Sequence, residues 1–291
     1  VLSWDFTKQV MDATILVDKH RVFPEYSHEK FVSWFEKQAD EQKKFKNQLC
    51  YFHGCYVNYN FPQLGKDFVK VMNAFGYGVQ LLEKEKCCGV ALISNGFAGT
   101  ARRQGEVNLR SIRKAVAEDM PVVATSSTCA MTIRDEYPHI LNLKNDDVRD
   151  HVELVTRFIY RMVNESKAFD LSKLKFKQRE RPLKIAYHTP CHLEKLGWEY
   201  YSIELLRMIP NIDITVLKPN CCGIGGTYGF KKENYENAQK IGEPLFREIE
   251  EGGFDLVVSD CETCKWQIEM STSLKCKHPV TVFAEALEDM L

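Results

Sequence analysis

One pattern of cysteines occurs twice in this chain. In the second half, 29 residues separate Cys191 from Cys221-Cys222-Gly223, and 38 separate Cys222 from Cys261-x-x-Cys264. In the first half, 31 residues separate Cys55 from Cys87-Cys88-Gly89, and 37 separate Cys88 from Ser126-x-x-Cys129. The surroundings repeat as well: "CCGVALISNGF" and "CCGIGGTYGF" both end in Gly-Phe. Scattered core cysteines do not keep such spacing, so the chain is an internal duplication. The adjacent pairs are poor disulfide partners, because a disulfide wants about 5.5 Å between Cα atoms and neighbours stand about 3.8 Å apart. Eleven cysteines in 291 residues is an odd number, which rules out full pairing within the chain. Without an export signal, such cysteines read as metal ligands or redox groups before staples.

The elements around the cysteines repeat too. The β-rich runs 49–54 and 183–189 lead into Cys55 and Cys191. Helical apolar spacing follows at 63–75 and 200–209, then strands at 78–83 and 212–218 that lead to the vicinal pairs. Long amphipathic helices are predicted at about 100–118 and 233–251, and strands 121–126 and 254–260 deliver the last cysteines. Alternating strands and helices predict an α/β fold, with a largely parallel sheet flanked by helices in each half. Ligands of such folds collect beyond the carboxyl ends of strands, and every repeated cysteine is placed there. The reading divides the chain into a helical lead-in (1–45), a first domain (46–171), a basic, solvated linker (172–183) and a second domain (184–291). In the lead-in, Ser27 is the expected N-cap of a helix, with Lys30 where a capping box wants Glu.

Composition narrows the function. Charged residues make up 27% and hydrophobic ones 44%, with a net charge of −1, so nothing invites nucleic acid. No apolar run approaches the roughly 18 residues of a membrane span, and "MDATILV" (11–17) is either a short membrane-surface contact or core. There is no phosphate-binding G-x-x-x-x-G-K-[ST] loop and no G-x-S-x-G. Gly223-Ile224-Gly225-Gly226 resembles half of a dinucleotide fingerprint, but two cysteines stand where its turn would begin.

Five cysteines in the second half, Cys191, Cys221, Cys222, Cys261 and Cys264, exceed the four of a structural zinc or a cubane cluster. The first half offers Cys55, Cys87, Cys88 and Cys129, with Ser126 in the fifth place. Two different sites are therefore expected. The second is the candidate for an unusual iron–sulfur cluster; the first is left open between a conventional cluster, zinc and no metal. Cys261 and Cys264 open the helix "ETCKWQIEM", whose N-terminus favours thiolate, and Lys265 is expected to help. A C-x-x-C between strand and helix also describes a redox dithiol; the register with Cys191, Cys221 and Cys222 favours metal. Cys50 and Cys276 are expected to be inert buried thiols. For His53, His188 and His192, packing or hydrogen bonding is expected, with ligation or proton relay as the alternative. Tyr228 and Phe230 are expected to keep water from the cluster loop.

The motifs resemble those of the cysteine-rich CCG domain family, which includes subunits of heterodisulfide reductase and glycolate oxidase and a lactate-utilisation protein. The likeness extends over about residues 20–291. It is most detailed in "FHGCYVNYNFPQLGKDFVKVMNAFG", "TSSTCAMTIRDEYP", "YHTPCHLEKLGW" and "VVSDCETCKWQIEMSTSLKC". These look like the branch of the family that serves bacterial anaerobic glycerol-3-phosphate dehydrogenases. The resemblance implies two tandem CCG domains and an iron–sulfur electron-transfer subunit of a quinone-linked oxidoreductase complex, without dehydrogenase activity of its own. It implies a noncubane [4Fe–4S] cluster on Cys191, Cys221, Cys222, Cys261 and Cys264. A second cluster or zinc would sit at Cys55, Cys87, Cys88 and Cys129, where Ser126 departs from the five-cysteine pattern. Implied partners are flavin-bearing catalytic subunits and menaquinone, with peripheral contact at the inner face of the cytoplasmic membrane. Members of that branch also carry a ferredoxin-like N-terminal domain, whose C-x-x-C-x-x-C-x-x-x-C-P run this sequence does not contain. The rival implications are a cluster-dependent thiol–disulfide reductase and a zinc-bound, non-redox anchor.

Overall fold

A computed structural model describes residues 5–14 and 16–288. Strands β1 (Asn47–Phe52), β2 (Tyr77–Leu81), β3 (Val122–Ala124) and β4 (Val152–Leu154) form one parallel sheet in the order β2-β1-β3-β4. Strands β5 (Leu183–Tyr187), β6 (Ile212–Val216), β7 (Leu256–Val258) and β8 (Cys276–Lys277) form the second, in the matching order β6-β5-β7-β8. The duplication read from cysteine spacing is thus a duplication of fold. The fourth strand of each sheet was not legible, because segments of three and two residues show no period.

Side-chain alternation along the strands builds three cores. Leu49 and Tyr51 of β1, Val123 of β3, Ile185 and Tyr187 of β5 and Val258 of β7 face a single shared core. Between the sheets that core holds helices α1 (Pro62–Ala74), α3 (Val155–Tyr160), α4 (Glu199–Arg207) and α6 (Pro279–Ala286). The alternate residues face outward. Cys50, Phe52, Val122 and Ala124 pack under helix α2 (Ala98–Ala117). Ala186 and Val257 pack under helix α5 (Tyr235–Glu251). Both strand faces are covered, which is why these strands read as near-continuous apolar runs. The halves are also joined by polar contacts: Thr281 Oγ1 on α6 donates to Asp67 Oδ2 on α1 at 2.8 Å. A shared core and buried hydrogen bonds fix the two strand ends relative to each other, which matters for a site between them.

The segments outside the repeat differ in detail from the expectation. Ser27 does not cap a helix; its hydroxyl donates to the Glu29 carbonyl at 2.7 Å. The helix begins at Phe31 after Lys30, and Asn58 Oδ1 of the first domain accepts from the Val32 N–H at 3.1 Å. A tertiary partner thus supplies the cap. Of the stretch 11–17, Ile15 lies outside the described residues. Val17 bridges to Lys231, and Asp12 pairs with Lys232, so the lead-in reaches the second half. The connection after 171 is pinned to the second half, where Phe176 pairs with Leu287 and its ring meets Phe283.

Candidate metal centre

The nine repeated cysteines line one cleft of about 460 Å³ between the carboxyl ends of the two sheets. Each is delivered by a strand end. Cys55 lies in the helix that follows β1, Cys87 and Cys88 in the turn after β2, and Cys129 in the short helix after β3. Cys191, the Cys221-Cys222 pair and the Cys261/Cys264 pair occupy the same places after β5, β6 and β7. The turns themselves need glycine. Gly223 has φ +85°, and a Cβ there would stand 1.9 Å from the Ala238 carbonyl oxygen on α5. Its counterpart Gly89 has φ +96° and packs against Ala101 on α2. The Gly223 N–H, freed by that turn, donates to Cys221 Sγ at 3.3 Å.

The sulfurs approach in pairs: Cys55 to Cys87 at 3.7 Å, Cys191 to Cys221 at 3.9 Å, and Cys222 to Cys264 at 3.3 Å. These are too long for the roughly 2.05 Å of a disulfide, and no cysteine of the chain is bridged. They match the spacing of sulfurs that share a metal at about 2.3 Å. Cys88, Cys129, Cys222, Cys261 and Cys264 are buried, whereas Cys55 and Cys191 are exposed. Each half therefore runs from a buried floor to an open rim.

Protonation follows the pairing. The Cys87 thiol is held far below its ordinary value by the Cys55 and Cys88 thiols and the Gly89 N–H, while Cys55 is pushed up by its contact with Cys87. Cys221 is lowered in the same way by Cys191, Cys222 and the Gly223 N–H, and Cys191 is raised by Cys221. Cys261 falls to about 5 through contact with Cys264, and also through Thr263 and the helix-start N–H of Cys264. Each half thus holds a thiol biased toward the thiolate, which is the form that ligates metal.

The structure sorts the other candidates. Cys50 and Cys276 stay outside the cleft, and burial raises both thiols, Cys50 to about 12. Lys265 does not serve the cysteines: it pairs with Glu269 at 2.6 Å and donates to the Cys276 carbonyl at 2.9 Å. Phe230 lines the cleft, but Tyr228 does not and is exposed. His53 is held by the Gly54 carbonyl at 2.8 Å and by Glu85 at 3.3 Å. His192 lines the cleft, with Nδ1 2.9 Å from Thr128 Oγ1 of the other half. His188 is different. Its Nε2 is buried without a hydrogen-bond partner, and its ring lies beside Cys222 and Cys264. Burial lowers its pKa to about 4, so the ring is neutral at physiological pH.

Ser126 reads in sequence as a departure from the five-cysteine pattern, while three other residues near the cysteines, Glu262, Asp260 and Arg21, escaped the sequence reading. Ser126 is spent locally, accepting from the Cys129 N–H and donating to Glu262 Oε2, each at 3.2 Å. Glu262 comes from the second half yet sits among the first half's groups, and burial followed by the Cys261 charge lifts its carboxyl to about 8. Asp260, next to Cys261, accepts from Tyr187 at 2.6 Å and Ser202 at 2.8 Å, which fixes the last loop. Arg21 is buried 4.6 Å above the Tyr235 ring, within electrostatic reach of Cys222. Nothing in local sequence points to it, since its contacts lie in the far half of the chain.

These buried groups set a pH profile for the metal-free protein. Glu85 and Glu262 are raised from 4.5 to about 8, and Asp260 from 3.8 to about 6, each chiefly by burial. A raised acid favours the folded state when protonated, so stability falls as pH rises through those windows. His53, His188 and His278 are lowered from 6.5 to about 4 by burial, so stability also falls as pH drops from 6.5 toward 4. The lowered thiols of Cys87, Cys221 and Cys261 act in the same sense as the histidines, because a lowered acid loses its stabilisation as pH falls. Thermal melts of the metal-free chain are therefore expected to lose stability as pH falls from ~6.5 toward ~4, and a melting temperature that rises over that range would contradict this.

The cysteine-rich domain family, CCG, matches residues 49–134 and 185–269, which covers both cysteine sets. This chain is a member of the CCG family. It is 57% identical over 281 residues to a subunit of the anaerobic glycerol-3-phosphate dehydrogenase of Escherichia coli K12, spanning 96% of this chain and 69% of that one. An uncharacterised iron–sulfur protein of Methanocaldococcus jannaschii is 28% identical over 78% of this chain and 42% of its own length. A subunit of the fumarate reductase (CoM/CoB) of Methanothermobacter marburgensis is 24% identical over 77% of this chain and 42% of its own. Each CCG match takes in three strands of one sheet with the cysteines they deliver to the common cleft, and ends before the fourth strand.

Proposed function

We propose that this chain is the iron–sulfur electron-transfer subunit of a quinone-linked anaerobic glycerol-3-phosphate dehydrogenase complex. The reading rests on one observation above all: nine thiols on fixed strand ends line one cleft, in a chain 57% identical to the E. coli protein. The donor set fits a metal–sulfur group. It is all sulfur, biased in part toward the thiolate, free of disulfides and walled by Val90, Ile93, Phe230 and Trp266. A noncubane [4Fe–4S] cluster on Cys191, Cys221, Cys222, Cys261 and Cys264 would supply one-electron chemistry at the second site. Cys55, Cys87, Cys88 and Cys129 would hold a second cluster or zinc at the first. The residues' own part is to keep thiolates apart from one another, to donate N–H bonds to sulfur and to exclude water at the buried floor. Electrons would arrive from flavin-bearing catalytic subunits and leave toward menaquinone, with the complex held against the inner face of the cytoplasmic membrane. Among the described residues no helix is long and apolar enough to cross a membrane, which suits peripheral attachment.

The test mixes the anaerobically reconstituted chain with the flavin-bearing subunits and follows its EPR and visible spectra. Glycerol 3-phosphate should bleach the chromophore only when those subunits are present, and added menaquinone analogue should restore it. Turnover of glycerol 3-phosphate by this chain alone would overturn the assignment. The open cleft between the two cysteine sets also favours a second reading, a cluster-dependent thiol–disulfide reductase. Steady reduction of a small disulfide by the dithionite-reduced protein would move the assignment there.

A further inference from the structure

The duplication lets each position of one site be compared with its counterpart. Tyr51 pairs with Val123 across the first sheet, and Tyr187 pairs with Val258 across the second. The tyrosine hydroxyls then meet Thr125 and Asp260, each two residues beyond those partners. This register makes Ser126 the counterpart of Cys261, and Cys129 that of Cys264. One residue past the tyrosines, Phe52 is therefore the counterpart of His188. In the first half, Phe52 packs with Cys88 and Cys129 in an apolar cluster. In the second half, the same place beside Cys222 and Cys264 holds an imidazole.

That imidazole is 1% exposed, and its Nε2 has no hydrogen-bond partner. An unsatisfied buried nitrogen costs free energy, and such a group calls for a missing partner. One ring nitrogen of His188 and the sulfurs of Cys222 and Cys264 all lie within 4.8 Å of one another. Three donors so placed are within reach of one common metal ion. Among the described residues no other group of three or more histidine, cysteine or carboxylate side chains meets that condition.

We propose that His188 is a nitrogen ligand of the second metal centre, which makes that centre a mixed cysteine–histidine site unlike its all-thiol counterpart in the first half. The inference rests on the reading of the second half as a metal site and adds a ligand that the cysteine motif does not contain. A neutral imidazole at this place leaves an iron–sulfur centre at a higher potential than a further thiolate there would, because the thiolate adds negative charge. Its backbone N–H is fixed to the Val258 carbonyl at 2.9 Å, which holds the ring in place.

The test is pulsed EPR on the reconstituted full chain, prepared with natural-abundance or ¹⁵N-labelled histidine. A strong histidine nitrogen coupling is expected, kept in His192→Ala and lost in His188→Phe. The latter installs the residue that the first half already tolerates at this place, so folding is expected to survive and circular dichroism checks it. His188→Cys should keep iron and lower the midpoint potential. No strong nitrogen coupling, or one that survives His188→Phe, overturns the proposal. A second readout needs no cluster: one equivalent of Co²⁺ alone is added to the reduced Cys87→Ser/Cys88→Ser chain, and X-ray absorption reads the coordination. Nitrogen in the shell, lost in His188→Phe, supports the assignment; sulfur alone overturns it. Failure to take up iron with a nitrogen-bearing cobalt site would sink the iron–sulfur reading and leave His188 as a ligand.

Discussion

Replacing Cys222 by serine in the anaerobically reconstituted chain is expected to abolish the second centre, with a loss of about four irons per chain and of its visible and EPR signals. Cys222 sits at the buried floor of the cleft, 2% exposed, with its sulfur 3.3 Å from that of Cys264. The substitution keeps the side chain's size while removing the thiolate, so the loss reports ligation and not packing. Neighbouring thiols cannot move in to replace it. Cys276 is buried outside the cleft, on β8, and Cys50 lies in the outer core of the other half. Cys276→Ser is the matched control and should retain all the iron. Equal iron in Cys222→Ser and wild type would remove the second half's cysteines from the metal site altogether. Zinc without iron in both proteins would favour the anchoring role that the same motif allows.

The second large effect runs the other way. Ser126→Cys completes the five-cysteine set of the first half and should give that site the metal content and spectrum of the second. The hydroxyl now accepts from the Cys129 N–H and donates to Glu262, and a thiol can retain the first contact in weaker form. The register places Ser126 where Cys261 stands in the other half, at the end of the strand beside the central one. No backbone change is needed. Iron and sulfide measured in a Cys222→Ser background isolate the first site, and the double variant should recover about four irons. Should the added cysteine leave iron unchanged, a further element separates the sites. Glu262, which crowds the first half's cysteines from the second, and Phe52, which stands where His188 does, are then the residues to alter.

Much of the fold was readable because both chemistry and periodicity were written twice. The six principal strands and four of the principal helices follow from apolar runs, and the repeat makes each reading check the other. Strands β4 and β8 escaped because their conformation is imposed by neighbours in the sheet, not by their own few residues. The same physics misplaced the helix cap at Ser27: the acceptor for the Val32 N–H is Asn58, which arrives from the first domain. Lys265 misled for a related reason. It is adjacent to Cys264 in sequence, yet the helix turns it toward Glu269, one turn further on.

The sequence by itself determined which nine cysteines belong to the repeat and so stand as candidate ligands. The spacing of the nine cysteines, the glycines that the Cys-Cys turns require and the strand–helix order are local properties, and each is carried by neighbouring residues. Only the tertiary structure decided that both cysteine sets face one cleft. That depends on a core shared between two sheets, with helices of both halves packed into it. It also decided which polar groups are left alone beside the sulfurs. Whether an imidazole such as His188 is satisfied depends on every donor and acceptor around it, and those come from strands and loops far apart in the chain.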